Sequence, residues 1–247
     1  MFKEILHRLQ GRIPTLPSHA AYELWAGTYG EQQNNIFLQA EERALLPLLD
    51  EHPLTNQSVL DAGCGSGRHI RHCLDRHAMR IVGIDFSRAM LHRGAWASEQ
   101  HPVSLVEGSV EMLPLRDSSF DLVLVPLVLG HVRNLRPAAA ELTRVLKSGG
   151  RLLISDWHPE NERRGWKRVF EVPFGEGRAG RFAVQHHFHE TDEYLRCFES
   201  EGFLLEKRIE PAIDESMRKA FENNGMEKIY GKHLGSPLVL VLGFRKP

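Results

Sequence analysis

Short apolar segments alternate with amphipathic segments over residues 58–156 of the chain. Because a strand that is buried on both faces reads as an unbroken apolar run, five of these segments predict β-strands. They cover residues 58–62, 80–85, 103–107, 120–125 and 151–156. The segments between them carry apolar residues at helical spacing. This alternation predicts a parallel sheet that is covered by helices on both faces.

The longest predicted helix lies between the fourth and fifth strands. Asn134 has the short polar side chain that caps a helix N-terminus, and Pro137 falls in the first turn, where its missing N–H is harmless. We expect this helix to run through Lys147 and to end at Gly149 and Gly150. Glycine readily adopts the left-handed backbone conformation that terminates many helices.

Regular alternation is absent on both sides of this core. Residues 1–57 carry helical patterns broken by prolines and predict an N-terminal helical cap, which begins with an amphipathic helix over residues 1–9. Residues 158–190 are rich in aromatic residues and glycine and predict an insertion with a β-hairpin around residues 174–177.

The C-terminal part of the chain predicts elements that complete the sheet. These are helices over residues 191–201 and 214–223 and strands over residues 203–209 and 238–244. We therefore predict a single domain with four parts. They are the N-terminal helical cap at 1–57, the core at 58–157, the insertion at 158–190 and the C-terminal part at 191–247.

Composition narrows the function classes. Lys and Arg together number 31 and Asp and Glu 32, for a formal net charge of -1, so no basic excess indicates a nucleic-acid or membrane partner. The three cysteines cannot all pair, which favours a reducing compartment and no structural zinc. The longest apolar run, residues 122–129, is interrupted by Pro126 and is too short to span a bilayer. These features predict a cytoplasmic protein, either a monomer or a homodimer.

A glycine-rich loop follows the first predicted strand. Gly63, Gly65 and Gly67 have GxGxG spacing, and glycines at such a position let the backbone turn sharply and approach a ligand. The dinucleotide fingerprint needs a further glycine at the position of Arg68, and the Lys-Ser/Thr pair of a P-loop is absent from this segment. The spacing therefore disfavours both of those ligand classes.

Asp85 ends the second predicted strand, beside the glycine-rich loop. A carboxylate at this place accepts hydrogen bonds from the two hydroxyls of a ribose. The alternative is that Asp85 only caps the helix that follows, although Ser87 is also a suitable N-cap. Together with the loop, Asp85 indicates a ligand that contains a nucleoside.

Four ordered segments resemble the successive motifs of class I S-adenosylmethionine-dependent methyltransferases, in particular the small-molecule, methyltransferase type 11-like branch. They read VLDAGCGSGRH, VGIDFSRAML, EGSVEMLPLRDSSFDLVLV and ELTRVLKSGGRLLISD, and the segment PLVLVLGFRKP is similar to the closing strand of that family. The resemblance implies a Rossmann-like seven-stranded, mostly parallel sheet whose last strand is antiparallel. It also implies S-adenosylmethionine as cofactor and S-adenosylhomocysteine as product.

The resemblance further implies a set of cofactor contacts. The methionine part lies beside the glycine loop, the ribose on the acid of the second strand, and the adenine between an apolar pair and the turn after the third strand. Many relatives have Asp at the position of Ser109, so the backbone N–H of Val110 is the alternative donor. An N-terminal tyrosine closes over the methionine carboxylate. The residues are Asp61, Ala62, Gly63, Gly65, Asp85, Phe86, Met90, Ser109, Val110 and Tyr29.

Histidines supply the candidates for a general base. His131 and His158 follow the fourth and fifth strands, at the sheet edge where ligands bind in open α/β folds. A histidine titrates near neutral pH and suits proton removal from an acceptor. Each is alternatively a hydrogen-bonded loop residue or a substrate-orienting donor. We expect no metal site at His186, His187 and His189, because only two of them share a face of an extended chain, and we expect them to form a pocket wall.

The aromatic residues of the insertion bear on the acceptor. If Trp166, Phe170, Phe174, Phe182 and Phe188 cap the site, they indicate an apolar or planar acceptor. The alternative is that the hairpin packs these rings on the protein's own core. We therefore predict an enzyme that transfers a methyl group to a small molecule at O, N or C by in-line displacement.

Two other functions stay open on the sequence. One is a nucleic-acid or protein methyltransferase, although residues 125–128 (VPLV) lack the Asn/Asp-Pro-Pro-Tyr-like tetrad of amino-methylating nucleic-acid enzymes. The other is a non-catalytic module that binds S-adenosylmethionine but has no pocket beside the sulfonium. A closed pocket with a histidine facing the methyl group distinguishes an enzyme from such a module.

Overall fold

The structure, a computed structural model, describes residues 13–30, 35–51, 53–94, 102–175 and 178–247. The amphipathic helix predicted over residues 1–9 lies outside these ranges. The first half of the described chain contains these elements: β1 Thr15–Leu16, α1 Ser18–Trp25, α2 Ile36–Asp50, β2 Ser58–Ala62, α3 Arg68–Asp75, β3 Arg80–Asp85, α4 Arg88–Arg93, β4 Val103–Glu107 and β5 Phe120–Pro126.

A 3₁₀ turn, Leu129–His131, leads into the second half. It contains α5 Leu135–Val145, β6 Leu146–Trp157, α6 Glu160–Arg163, β7 Val169–Pro173, β8 Ala179–Val184, α7 Thr191–Ser200, β9 Leu204–Ile209, a 3₁₀ turn Glu215–Met217, α8 Arg218–Asn223, α9 Glu227–His233 and β10 Val239–Arg245. None of the helices in the described part of the chain combines the length and the apolar character that crossing a bilayer requires.

The main sheet has seven strands in the order β4-β3-β2-β5-β6-β10-β9. Strand β10 runs antiparallel to both of its neighbours, β6 and β9, and the other pairs are parallel. The Rossmann-like fold with an antiparallel last strand is therefore confirmed. The chain moves outward from β2 in one direction and returns to its other side at β5. The crevice at this change of direction is where open α/β sheets bind ligands.

Two apolar clusters, one on each face, hold the helices to the sheet. Neighbouring residues on a strand point to opposite faces, so Val59 joins one cluster and Leu60 the other. The first cluster includes residues of α2, α3, α8 and α9, and the second includes residues of α5 and α7. Burial on both faces explains why the central strands read as continuous apolar runs.

A smaller unit covers one edge of the sheet, and we call it the cap: β1, α1, β7 and β8. Strands β7 and β8 form the predicted hairpin, and β1 pairs with β8 in parallel. The ring of Trp25 on α1 stacks on Phe170 of β7, with centroids 4.9 Å apart. Phe170 and Phe182 thus bind the N-terminal helix to the insertion, and the two segments form a single structural unit.

The end of the helix before β6 differs from the prediction. Helix α5 ends at Val145, and Gly149 and Gly150 lie inside β6, where they do not terminate a helix. Leu146 pairs with Phe120 in the sheet, and the N–H of Gly149 donates to the carbonyl of Lys246 at 2.8 Å. Pairing with two distant strands overrides the local terminator pattern. The helix predicted over residues 214–223 begins as a 3₁₀ turn, and α9 was not predicted.

Candidate active site

A cavity of about 410 Å³ opens at the carboxyl ends of β2, β3 and β5, beneath the cap. This volume lies in the usual range for small-molecule sites. Its floor consists of the glycine-rich loop and the turns after β3, β4 and β5. Its roof consists of side chains from α1, the chain just after α1, the start of α2 and the segment before β7. The cavity therefore lies where the change in strand direction predicts a ligand.

The glycine-rich loop brings bare backbone to the cavity wall. Gly63 has φ +81°, and a Cβ added there would lie 2.2 Å from Cγ2 of Val128. Gly65 has φ +54°, and its Cβ would lie 3.1 Å from Cε of Met90. The N–H groups of Gly63 and Cys64 donate to the carbonyl of Ile84 at 2.6 and 2.8 Å, which ties the loop to β3. A side chain at Gly63 would clash with Val128, and the backbone of both glycines is open to a ligand in the cavity.

Asp85 joins the glycine loop to the turn after β3. Its Oδ2 accepts the N–H of Gly65 at 2.8 Å, and its Oδ1 accepts the N–H of Ser87 at 2.8 Å. Burial raises the pKa of Asp85, and the two backbone hydrogen bonds oppose that rise. Ser87, not Asp85, caps α4 by accepting the N–H of Met90. Because a carboxylate oxygen accepts two hydrogen bonds, Asp85 retains capacity for ligand hydroxyls in the cavity that it lines.

The other expected cofactor residues divide between the cavity wall and the interior. Tyr29, Phe86, Met90, Ser109 and Val110 line the cavity. The hydroxyl of Ser109 accepts the N–H of Glu111 at 3.2 Å, so this side chain serves its own turn.

Asp61 and Ala62, which the sequence analysis places beside the cofactor, are fully buried beneath the loop and do not line the cavity. Asp61 is 0% exposed, and neither of its carboxylate oxygens has a hydrogen-bond partner in the described part of the chain. Burial raises the pKa of Asp61 to about 7, against the opposing attraction of Arg68. Near neutral pH the group is thus partly protonated, which lowers the cost of keeping a carboxyl in an apolar interior.

We expect Asp61→Asn to change the pH dependence of stability. The folded protein holds the proton of Asp61 up to a pKa of about 7, whereas the unfolded chain releases it near its ordinary value, so this group contributes stability that is lost as the pH rises through that window. Relative to the wild type, the free energy of unfolding of Asp61→Asn should rise by about 2–3 kcal/mol between roughly pH 5 and pH 8.

Urea unfolding of the cofactor-free protein at both pH values measures this difference. Asp192→Asn, a change to an exposed carboxylate on α7, is the matched control and should show no such trend. If the difference in unfolding free energy between Asp61→Asn and the wild type is the same at both pH values, Asp61 is not a buried, protonated carboxyl.

His131 lines the cavity in a fixed tautomer. Its Nδ1 lies 3.2 Å from the carbonyl oxygen of Gln185, which only accepts hydrogen bonds, so Nδ1 carries the proton. Its Nε2 faces the hydroxyl of Tyr22 at 3.0 Å and Nη1 of Arg168 at 3.1 Å. Burial, and then the charge of Arg168, lower the pKa of His131 to about 3. The ring is therefore neutral at physiological pH, with the lone pair of Nε2 on the side of Tyr22.

The backbone around His131 is held from below by Asp156. This buried carboxylate accepts the N–H of Gly130 and, at 2.8 Å, the hydroxyl of Tyr194. A Cβ at Gly130 would lie 2.0 Å from Cε1 of His186, so the 3₁₀ turn packs directly on that ring. Asp156 and His186 thus fix the position of the turn that carries His131.

His158, the second candidate base of the sequence analysis, does not line the cavity. Its Nδ1 accepts the N–H of Glu160 at 3.2 Å, and its Nε2 lies 3.7 Å from a carboxylate oxygen of Glu210. The chain turns away after Trp157 to begin α6. A place at the expected sheet edge therefore does not bring this side chain to the cavity.

The three histidines after β8 do not line the cavity, whose wall they are expected to form. His186 contacts Phe188, with ring centroids 4.4 Å apart, and burial lowers its pKa to about 2. His189 is buried and its Nε2 lies 3.0 Å from the carbonyl of Val132. Residues 185–190 are not a strand, so the alternation assumed for them does not apply.

The aromatic wall of the cavity comes from elsewhere than predicted. Phe170 and Phe182 pack within the cap, and neither Trp166, Phe174 nor Phe188 lines the cavity. The rings that line it belong to Tyr22, Trp25, Tyr29, Phe37, Phe86 and Trp157. Arg168, just before β7, also lines it and was missed, because nothing in the sequence distinguishes it from the other basic residues nearby.

Comparisons with known proteins agree with this geometry. Residues 60–154 match a family described as a methyltransferase domain. A protein of Encephalitozoon cuniculi with a provisional methyltransferase name is 33% identical over 159 residues, which are 63% of this chain and 70% of that protein. The solved structure of an S-adenosylmethionine dependent methyltransferase from Mesorhizobium loti has a TM-score of 0.64 at 20% identity, covering 85% of this chain and 100% of that one.

A third relative has a named RNA substrate. The tRNA U34 carboxymethyltransferase of Shewanella loihica is 40% identical over 106 residues, which are 41% of this chain. The match covers 32% of that protein, so the chain spans about a third of the length of this relative.

The cavity, the sheet and these relatives define the class of protein. The chain belongs to the S-adenosylmethionine-dependent methyltransferases. It is an enzyme, and S-adenosylmethionine is its cofactor.

Proposed function

We propose that this enzyme transfers the methyl group of S-adenosylmethionine to a small-molecule acceptor that is held between the cap and the ends of β5 and β6. The roof over the cavity carries this proposal. Tyr22 and Trp25 of α1 and Arg168 of the insertion enclose the acceptor side, and the whole cavity has a volume of about 410 Å³. An acceptor that shares this space with the cofactor is therefore small.

The cofactor fits the floor of the cavity on the evidence of the glycine cradle. We assign the methionine part to Gly63 and Gly65, the ribose hydroxyls to Asp85, and the adenine to Phe86, Met90, the turn at Ser109 and the N–H of Val110. Tyr29, whose ring lies 4.9 Å from that of Trp25, closes the methionine end. Bound there, the cofactor supplies a methyl group on a positively charged sulfur.

The enzyme's own contribution to the reaction is mainly position and the exclusion of water. A bond forms between the acceptor atom and the methyl carbon while the carbon–sulfur bond breaks. If the acceptor atom carries a proton, that proton becomes strongly acidic as the methyl group adds, and Tyr22 relays it in one concerted step: its hydroxyl receives the acceptor's proton while it gives its own to Nε2 of His131. Burial raises the pKa of Tyr22 to about 12, so the phenol keeps its proton until that transfer.

A second candidate acceptor is an RNA. The likeness to the tRNA U34 carboxymethyltransferase favours it, but that match covers only 106 residues. Strong phosphate binding needs several cationic side chains, whereas this chain has a formal net charge of -1. The roof that encloses the cavity and the net charge of the chain both favour a small-molecule acceptor.

Transfer of an isotope-labelled methyl group tests the proposal. The purified enzyme is incubated with labelled S-adenosylmethionine and separate small-molecule, RNA and protein fractions of a cell extract. We expect label in the small-molecule fraction, and its loss when S-adenosylhomocysteine is added in excess. Label confined to the RNA fraction would establish the second candidate instead, and label confined to protein would overturn both.

A further inference from the structure

Arg168 places an uncompensated positive charge in the wall of the cavity. Its Nη1 donates to the hydroxyl of Tyr22 and lies 3.1 Å from Nε2 of His131, and both of these groups are neutral. Within the described ranges, no carboxylate forms an ion pair with this guanidinium. Arg168 is half-buried, and a charge that is partly removed from water without a partner favours the binding of an anion beside it.

The other charged groups nearby already have hydrogen-bond or ion-pair partners within the protein. Arg68 also lines the cavity, but its Nη1 donates to Glu41 at 2.7 Å and to Glu42 at 2.8 Å. Asp156 contributes to the field at Arg168, but within the described ranges the two form no ion pair, and the Asp156 carboxylate accepts hydrogen bonds from Gly130, Trp157 and Tyr194. Arg168 is therefore the cavity-lining arginine whose charge the protein's own carboxylates leave available.

The guanidinium of Arg168 lies away from the glycine loop, on the side of the cavity that we assign to the methyl acceptor. The guanidinium carbon lies 5.3 Å from the ring centre of Trp157, the last residue of β6. Strand β6 is two places from β2 in the sheet, on the far side of β5. Adjacent strands are about 4.8 Å apart, so the end of β6 is roughly 10 Å from the strand that carries the glycine loop.

We propose that Arg168 binds a carboxylate of the methyl acceptor, so that the substrates are small carboxylic acids. This inference rests on the proposed function. A planar guanidinium matches a carboxylate with two parallel hydrogen bonds. One arginine balances one negative charge, whereas a buried phosphate dianion requires more positive charge than this wall offers. The carboxylate anchors the acceptor beside Tyr22 and His131, where the proton leaves.

Binding of matched probes to the enzyme loaded with S-adenosylhomocysteine tests this inference. Acetate, benzoate and phenylacetate are each compared with the corresponding amide, which has nearly the same shape and no charge, by ligand-detected NMR. We expect at least one carboxylate to bind the wild type at least tenfold more tightly than its amide. Arg168→Gln should abolish this preference, and Arg168→Lys should retain part of it, because it keeps the charge but loses the paired hydrogen bonds.

Two controls separate the acceptor role from other roles. Arg181→Gln removes an exposed arginine of β8 and should leave the carboxylate preference unchanged. The affinity of each variant for S-adenosylhomocysteine, measured by calorimetry, should stay within about twofold of the wild type. A preference that is absent from the wild type, or that persists in Arg168→Gln, overturns the inference. A loss of S-adenosylhomocysteine affinity in Arg168→Gln also overturns it and assigns Arg168 to the cofactor's own carboxylate.

The labelled methyl product distinguishes failure of this inference from failure of the proposed function. A labelled small molecule that has no carboxylate would contradict this inference but support the proposed function. Label confined to RNA or protein removes the function on which the inference rests, whatever the probes show.

Discussion

His131→Gln is expected to lower kcat by about 10²–10⁴-fold while the affinity for S-adenosylhomocysteine stays nearly unchanged. The lone pair of Nε2 lies 3.0 Å from the Tyr22 hydroxyl and is the proton acceptor of the proposed relay. Glutamine has a comparable polar group but does not take a proton at neutral pH. The measurement is steady-state kinetics on the acceptor that the labelling experiment identifies, together with calorimetry for the product.

The control and the pH profile separate a base from a positioning residue. His158→Gln changes a histidine outside the cavity and should keep near-normal kcat. Because the pKa of His131 is lowered to about 3, this group remains a neutral base as the pH falls from 9 to 6 and causes no loss of kcat/KM there. A smaller loss with a raised KM indicates positioning alone. Near-normal kcat for His131→Gln across this range would exclude His131 as the base.

Asp85→Ala is expected to weaken binding of S-adenosylhomocysteine by about 1.5–3 kcal/mol, the scale of hydrogen bonds to a charged group. The same change should lower the free energy of unfolding by about 2–4 kcal/mol, because the N–H groups of Gly65 and Ser87 lose their acceptor. Calorimetric titration measures the first effect, and urea unfolding without cofactor measures the second.

Glu107→Ala is the matched control for Asp85→Ala. Glu107 is the register partner of Asp85 at the end of β4, is exposed and does not line the cavity. We expect little change in either quantity. If Asp85→Ala folds and binds S-adenosylhomocysteine like the wild type, Asp85 only ties the loop to β3, and the ribose assignment is wrong.

Local patterns in the sequence predict the central strands well, because the residues that define each strand lie in the strand itself and in the loops that bound it. The central segments 58–62 and 80–85 form strands with the predicted bounds, and so does the edge segment 103–107. Buried parallel strands need apolar side chains on both faces, and the loops that bound them need glycine or capping residues. The prediction for Gly149 and Gly150 is wrong for the opposite reason. Their conformation depends on β10, which lies almost a hundred residues further along the chain.

The residues of the candidate site also divide into those that local patterns predict and those that depend on distant parts of the chain. Gly63, Gly65 and Asp85 lie next to strand ends that the sequence predicts, so they line the expected cavity. The cap cannot be derived in this manner, because the two-residue strand β1 and its partner β8 are far apart in sequence. Without that pairing, nothing indicates that Arg168 and Tyr22 meet His131, or that His158 lies outside the cavity.

A crystal structure of the enzyme with S-adenosylhomocysteine tests the central claim most directly, namely that one cavity holds the cofactor on its floor and the acceptor beneath the cap. We expect the adenine beside Val110, the ribose hydroxyls on Asp85 and the methionine part over Gly63 and Gly65. The sulfur should face Tyr22, and Arg168 should be free of the product's carboxylate. Product bound elsewhere, or product that fills the space between Tyr22 and Arg168 and leaves no room for an acceptor, would contradict the account.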